Sequence, residues 1–174
     1  MEIRKASADN IDIIMQIFEA AKRFMRKMGN NKQWVDGYPS KELILDNIMA
    51  GGFYECLSDD REIVGVFYFM IEEDPTYNRI YNGEWLNDRP YGVVHRMASN
   101  GKIKGLSDIC FQWCFEQCDN IKVDTHRDNA IMQNVLVRNG FERCGIIYLA
   151  NGAERIAYQK NRSVITNAVK QPRV

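Results

Sequence analysis

The sequence predicts a single α/β domain in which helices pack on one central sheet. Helical periods and short apolar strand-like runs alternate along the chain. With 174 residues, 45% of them apolar, the chain suits one hydrophobic core. No internal repeat or low-complexity segment interrupts the pattern. We therefore expect one domain over residues 1–160, followed by a C-terminal tail over residues 161–174.

The first half of the chain predicts the order β-α-α-β-β. Ser7, Asp9 and Asn10 offer N-caps to a long helical pattern that Gly29 ends. Ser40 opens a shorter helix. A polar turn, "SDDR", joins two strand runs as a hairpin. The predicted elements are a strand at 2–6, helices at 11–28 and 41–50, and strands at 53–57 and 62–71.

The second half begins with a polar and aromatic segment of about twenty residues, "EEDPTYNRIYNGEWLNDRPYG". Because this is longer than a usual hairpin connection, we expect an ordered, functional loop. The last two strands flank "ANGAE", a turn with Asn-Gly chemistry. The elements predicted after the loop are a strand at 91–98, a helix at 103–117, a strand at 121–125, a helix at 129–138, and strands at 142–149 and 155–159.

The charge balance limits the kinds of partner. Lys and Arg total 23, as do Asp and Glu, so no overall field favours nucleic acid or an anionic membrane. The apolar runs are far shorter than the roughly 20 residues of a membrane span, and "MEIRKASADN" lacks the apolar core of a signal peptide. We expect a cytoplasmic protein without nucleic-acid or membrane partners.

Five cysteines form an odd set, which is typical of free thiols in a reducing compartment. Cys110, Cys114 and Cys118 suggest a metal or iron–sulfur site as the alternative. On one helix, however, the outer two lie about 12 Å apart at about 1.5 Å rise per residue. One small metal centre does not bind all three, so we expect no metal.

The turn "NGKIKGLS" is the clearest candidate for ligand binding. It joins an apolar strand to an apolar helix, and Gly101 and Gly105 allow the backbone to approach a ligand closely. The first turn of a helix presents unpaired N–H groups and partial positive charge, while Lys102 and Lys104 add formal charge. The pattern predicts an anion site that matches neither the Walker A nor the dinucleotide-binding spacing.

The order β-α-α-β-β-β-α-β-α-β-β, with this turn after the fourth strand, resembles the GCN5-related N-acetyltransferase (GNAT) family. The family's R/Q-x-x-G-x-G/A motif corresponds to residues 102–107, where Lys102 replaces Arg/Gln and Ser107 replaces Gly/Ala. The passage "DNAIMQNVLVRNGFERCGIIYL" is similar to the family's strand-five to strand-six region. The resemblance covers residues 2–160. It implies a mixed, mostly antiparallel sheet of about seven strands, splayed between strands 4 and 5 and flanked by about four helices.

The resemblance further implies acetyl-CoA as cosubstrate and direct attack by a primary amine of a small molecule, peptide or protein. In such proteins the pantetheine arm lies along the fourth strand and the pyrophosphate at the Gly-rich turn. The cofactor-binding residues implied by position are Met97, Ala98, Ser99, Lys102, Ile103, Lys104, Gly105, Leu106, Ser107 and Asn129.

The catalytic acid and base are less defined. The family's tyrosine, seven residues after the Asn, corresponds to Leu136 here. The candidate catalytic residues are His126, Tyr148 and Glu84, and Asp124 either orients His126 or faces the opposite side of its strand. His95 lies within a strand, where a structural role is the main interpretation and a functional one the alternative.

Aromatic and acidic side chains near the thioester end are the candidates for acceptor binding by charge and cation–π contact. The aromatic candidates are Trp34, Tyr38, Tyr81 and Trp85. Alternatively, these aromatics cover the sheet or form a homodimer interface. Two other functions also remain open: a non-catalytic acyl-CoA-binding protein of the same fold, and a metal or redox protein built on the cysteines.

Overall fold

The computed structural model describes residues 1–162, which form a seven-stranded sheet covered on both faces. The strands are β1 Glu2–Lys5, β2 Phe53–Leu57, β3 Ile63–Ile71, β4 Gly92–Ser99, β5 Asn120–Thr125, β6 Glu142–Tyr148 and β7 Glu154–Asn161. The helices are α1 Ile11–Lys27, α2 Lys41–Met49, α3 Leu106–Gln117 and α4 Ala130–Arg138. The last strand, β7, ends at Asn161. The rest of the predicted tail, residues 163–174, lies outside the described residues.

The sheet has the strand order β1-β2-β3-β4-β5-β7-β6. All neighbouring strands are antiparallel except β4 and β5, which are parallel. The predicted mixed, mostly antiparallel sheet with four helices is therefore confirmed. β4 and β5 pair only at Gly92–Ile121 and Val93–Lys122, so the two strands separate beyond these residues.

Two apolar layers hold the helices on the sheet. The first lies under α1, α2 and the β3–β4 loop and includes Ile14, Phe18 and Val93. The second lies under α3 and α4 and includes Phe111 and Leu136. Since side chains alternate across a strand, neighbouring residues of β4 and β5 face opposite layers.

Side chains cap the N-termini of α2 and α4, whereas Asn10 makes no capping hydrogen bond to α1. The Ser40 hydroxyl accepts a hydrogen bond from the Leu43 N–H at 3.1 Å and begins α2. α3 begins at Leu106, not at the predicted Ile103, because Gly105 before it has a φ of +72°. This left-handed conformation is incompatible with a helix running through Gly105, so residues 101–105 form a turn.

The β3–β4 loop is ordered and crosses the sheet face. A short 3-10 turn at Pro75–Tyr77 begins it, and Tyr81 then exchanges two backbone hydrogen bonds with Ile146 of β6, each 2.8 Å long. At Gly83 an added Cβ would lie 1.8 Å from the Cys144 carbonyl oxygen. The close backbone approach at Gly83 fixes the loop against β6.

None of the helices formed by residues 1–162 combines the length and apolar character needed to cross a membrane.

Candidate active site

The separation of β4 from β5 opens a cavity of about 840 Å³ through the sheet. Residues 94–99 of β4 line one wall and residues 123–125 of β5 line the other. α1 and the α1–α2 loop border the cavity on one face, while Ser107, Phe111 and the start of α4 border it on the other. The volume is that of a pocket for a small organic ligand.

A bulge in β4 redirects its side chains at this point. Between the pairs Val66–Ala98 and Tyr68–His95, β4 advances three residues while β3 advances two. Arg96, within the bulge, has a φ of +51°. Beyond Val93 the β5 side of β4 has no strand partner among the described residues, so its backbone groups there are available to a ligand.

The N-terminus of α3 opens beside this gap. Gly105 is its N-cap residue and no side chain caps the helix. The first helical hydrogen bond runs from the Ile109 N–H to the Gly105 carbonyl oxygen at 3.2 Å. The N–H groups of residues 106–108 therefore lack helical acceptors, and with the helix dipole they suit an anion.

On the α1 side of the gap, His95 forms a pair with Asp74 of the β3–β4 loop. The His95 Nε2 lies 2.8 Å from Asp74 Oδ2. Burial by itself raises the pKa of the Asp74 carboxyl, but hydrogen bonds from His95 and Thr76 outweigh it and lower the pKa to about 2. Because an ionised carboxylate only accepts hydrogen bonds, a neutral His95 carries its proton on Nε2 and leaves Nδ1 as the acceptor.

Asp124 of β5 lies across from His95. The Tyr77 hydroxyl donates to Asp124 Oδ2 at 2.7 Å, and the same oxygen lies 3.9 Å from His95 Nδ1. Burial, followed by the Asp124 charge, raises the pKa of Tyr77 far above its ordinary value, so Tyr77 remains a donor. The arrangement places a carboxylate and a free imidazole nitrogen side by side in the cavity wall.

The predicted cofactor residues divide into two groups. Met97, Ala98, Ser99, Ser107 and Asn129 line the cavity, whereas residues 102–106 form the turn and helix start at its edge. The Lys102 ammonium pairs with Glu62.

Asn129 is engaged within the protein. Its Oδ1 caps α4 by accepting from Met132 N–H at 3.0 Å, and its Nδ2 donates to Gln33 Oε1 at 3.0 Å.

The predicted catalytic residues lie outside the cavity lining. Glu84 is exposed on the β3–β4 loop. Tyr148 is at the end of β6, with its ring 5.2 Å from that of Tyr81. His126 follows β5, and its Nδ1 accepts the Asp128 backbone N–H at 3.0 Å. Burial, and then the Arg155 charge, lowers the pKa of His126.

Two of the four predicted aromatic walls border the cavity, namely Trp34 and Tyr38. Tyr81 bridges to β6 instead. Trp85 packs on the sheet, and its Nε1 donates a hydrogen bond to the Tyr77 carbonyl oxygen at 2.9 Å. The centre of its ring lies 4.2 Å from the Lys122 Nζ. The loop carries Tyr81 and Trp85 away from the gap because it is fixed to β6.

Sequence reasoning gave His95 and Asp124 only secondary roles and did not single out Arg155. The Arg155 side chain of β7 is 10% exposed and lines the cavity, with Nε 4.0 Å from Asp124 Oδ1. The available signal was an arginine at the start of the otherwise apolar strand "RIAY".

The cysteines lie in or beside the core. Cys110 and Cys114 are buried against the sheet, and Cys56 Sγ lies 3.6 Å from Cys110 Sγ. Cys118 donates to the Asn120 carbonyl oxygen at 3.2 Å. Burial raises the pKa of the Cys114 thiol well above its ordinary value. These thiols are therefore packing groups, and none of the five lines the cavity between β4 and β5.

Neither a protein-family model nor a curated protein matches the chain, but solved structures do. A GNAT-family acetyltransferase from Streptococcus agalactiae 2603 is 32% identical, with a TM-score of 0.84, over 92% of this chain and 95% of that chain. One from Listeria monocytogenes 4b F2365 is 17% identical, with a TM-score of 0.65, over 92% and 94%. A phosphinothricin acetyltransferase from Sinorhizobium meliloti, solved with AcCoA, is 14% identical, with a TM-score of 0.60, over 91% and 86%.

The mixed seven-stranded sheet with its four helices is therefore a fold that this chain shares with acetyltransferases. On the similarity to the Streptococcus agalactiae protein, the chain belongs to the GNAT family of acetyltransferases.

Proposed function

We propose that the protein is an N-acetyltransferase that transfers an acetyl group from acetyl-CoA to a primary amine by direct attack. One observation carries the proposal. A single cavity joins the N-terminus of α3 on one face of the sheet to the His95, Asp74 and Asp124 cluster on the other. Family membership and the AcCoA complex of the Sinorhizobium meliloti protein support this choice of cosubstrate.

The cosubstrate fits the α3 side of the gap. The uncapped N–H groups of residues 106–108 would hold the pyrophosphate, and Gly105 keeps a side chain away from it. The unpaired β5 side of β4, at Met97, Ala98 and Ser99, offers backbone groups to the pantetheine amides. Bound acetyl-CoA would supply an activated thioester carbonyl within the gap.

His95 is the base that this geometry favours. An amine is protonated near neutral pH and must lose a proton before it attacks a carbonyl. With Nε2–H donated to Asp74, His95 presents Nδ1 to the cavity as a proton acceptor. Asp74 thereby acts as the orienting partner of a base, an arrangement that recurs in acid–base catalysis.

Asp124 would bind the incoming ammonium beside His95. Its Oδ2 accepts a hydrogen bond from the Tyr77 hydroxyl, and the carboxylate can accept further hydrogen bonds. The ammonium would thus sit next to both the carboxylate and the imidazole nitrogen. Leu136, which stands at the position of the family's tyrosine, is buried in the core and has no proton to donate. The thiolate would therefore be protonated by water or by the amine's second proton.

The test is titration of the protein with acetyl-CoA, followed by a panel of amines monitored for free thiol. We expect acetyl-CoA to bind and thiol release to require an amine. Absence of acetyl-CoA binding would contradict the proposal. Binding without thiol release for any amine would favour the non-catalytic acyl-CoA-binding alternative.

The two histidines of the chain give a matched pair of variants. His95→Gln should lower kcat/KM about 10²–10⁴-fold, the usual contribution of a general base, with acetyl-CoA affinity retained. His126→Gln tests the other candidate, which lies outside the cavity. A large loss in His126→Gln with none in His95→Gln would transfer the role of base to His126.

A further inference from the structure

Arg155 is a buried guanidinium with most of its donors unused. The side chain is nine-tenths buried and lines the cavity. Among residues 1–162 it makes one hydrogen bond, from Nη1 to the Glu154 carbonyl oxygen at 2.8 Å. Its Nε is 4.0 Å from Asp124 Oδ1, beyond hydrogen-bond distance. A guanidinium has five N–H donors, so most of those of Arg155 remain available to a ligand in the cavity.

A second guanidinium, that of Arg96 on β4, also lines the cavity. Arg96, in the β4 bulge, donates from Nη1 to the Tyr38 hydroxyl at 2.9 Å and stacks over the Tyr68 ring at 4.8 Å. Its Nε is buried without a hydrogen-bond partner in the described part of the chain. Burial lowers the pKa of Arg155, while the nearby Asp124 charge opposes that effect. Two guanidinium groups therefore line the cavity together with the carboxylates of Asp74 and Asp124.

The opposite charge lies close to Arg155, on the Asp124 carboxylate. Asp124 lies between Arg155 and His95. Its Oδ1 is 4.0 Å from the Arg155 Nε, and its Oδ2 is 3.9 Å from the His95 Nδ1. A ligand that binds both sides must carry an ammonium and an anionic group within a few ångströms of each other. An α-amino acid, with one carbon between its two charged groups, has that spacing.

We propose that the acceptor is a free α-amino acid, whose carboxylate pairs with Arg155 while its ammonium lies between Asp124 and His95 Nδ1. The inference rests on the proposed function. In the reaction the amine nitrogen bonds to the acetyl carbon and the carbon–sulfur bond breaks. One ammonium proton passes to His95, and a second reaches the departing thiolate, so that the products are an N-acetyl amino acid, CoA thiol and one proton.

The mouth of the cavity on the α1 side suggests which amino acids to try first. Phe24, Met28 and Val35 line it and are exposed. An apolar side chain pointing outward would contact these residues. L-Leucine, L-methionine and L-phenylalanine are therefore the first probes, each paired with its amide and with its decarboxylated amine.

The experiment titrates these probes into protein saturated with CoA and measures kcat/KM for thiol release with acetyl-CoA. A hydrogen bond to a charged group contributes enough for about a tenfold or greater preference of the acid over its amide. Arg155→Gln should abolish this preference by weakening the acid alone, and Arg155→Lys should restore part of it. Arg143→Gln, on the exposed face of neighbouring β6, is the matched control, and thermal unfolding confirms that each variant folds.

The outcomes separate the two levels of the proposal. Equal use of acid and amide would overturn the amino-acid assignment, and an Arg155→Gln variant that keeps the preference would overturn the pairing of the carboxylate with Arg155. The amino-acid assignment would also be overturned if CoA bound but no probe acid was bound or acetylated. In that case the proposed acetyltransferase function would still stand. Failure to bind CoA in the first titration would instead refute the function and, with it, this inference.

Discussion

Replacing Asp74 with Asn should expose how much stability the His95–Asp74 pair provides. The Asp74 carboxylate accepts from His95 at 2.8 Å and from the Thr76 N–H and hydroxyl at 2.9 and 2.7 Å. Together these hydrogen bonds outweigh the opposing effect of burial and lower its pKa from 3.8 to about 2. At about 1.4 kcal/mol per pKa unit, this difference corresponds to about 2 kcal/mol of stability.

The sign follows from linkage. A carboxyl whose pKa is lower in the folded than in the unfolded state stabilises the fold at pH values above the unfolded pKa. This contribution is lost as the pH falls from about 4 towards 2, and roughly half of it remains near pH 3. Asp74→Asn should therefore lower the free energy of unfolding by about 2 kcal/mol at neutral pH and by about half as much near pH 3.

Urea unfolding of wild type and Asp74→Asn across this pH range is the assay. Taking the difference between the two proteins removes the contribution of the other carboxylates. Asp60→Asn, on the exposed β2–β3 turn, controls for the loss of an aspartate elsewhere. A difference between wild type and Asp74→Asn that stays constant from neutral pH to pH 3 would refute the reasoning.

Three further variants or treatments test the cavity and the core. Gly105→Glu should abolish acetyl-CoA binding, because it places a carboxylate at the α3 N-terminus. Gly140→Glu, a control at another left-handed position, should retain binding. Calorimetry measures the affinity of both variants. Because Leu136 is fully buried, Leu136→Tyr should lose about 1–3 kcal/mol of stability through overpacking. The variant should gain no thiol-release activity, and increased turnover would contradict this expectation. Iodoacetamide should leave Cys110 and Cys114 unmodified in the native protein at mildly alkaline pH but modify both after unfolding, as mass spectrometry would show; rapid native labelling would oppose the assigned burial.

The order of elements could be predicted from the sequence because local chemistry determines it. Ser40 and Asn129 cap the helices they were expected to open, and the "SDDR" turn joins β2 to β3. The start of α3 was misplaced by three residues because the left-handed Gly105 interrupts the apolar period only in the folded backbone. Periodicity records which residues are apolar and does not record φ angles.

The cluster of His95, Asp74 and Asp124 could not be predicted in the same way. His95 and Asp74 are 21 residues apart, and their contact depends on the path of the β3–β4 loop and on the bulge at Arg96. The loop was expected to bring Tyr81 and Trp85 to the acceptor side. Its course is set by Gly83, whose lack of a side chain lets the backbone touch β6, and that contact is long-range.

The position of the cavity also bears on how the acetyl group would be transferred. An acetyl-cysteine intermediate would require a thiol in the gap, and none of the five cysteines lines it. Cys114 is buried in the core, where burial raises the pKa of its thiol and keeps it protonated. In the proposed mechanism, the cosubstrate and the acceptor would bind on opposite faces of the sheet and meet between β4 and β5. A bound amine beside His95 would therefore reach the thioester directly, so proximity would supply much of the rate.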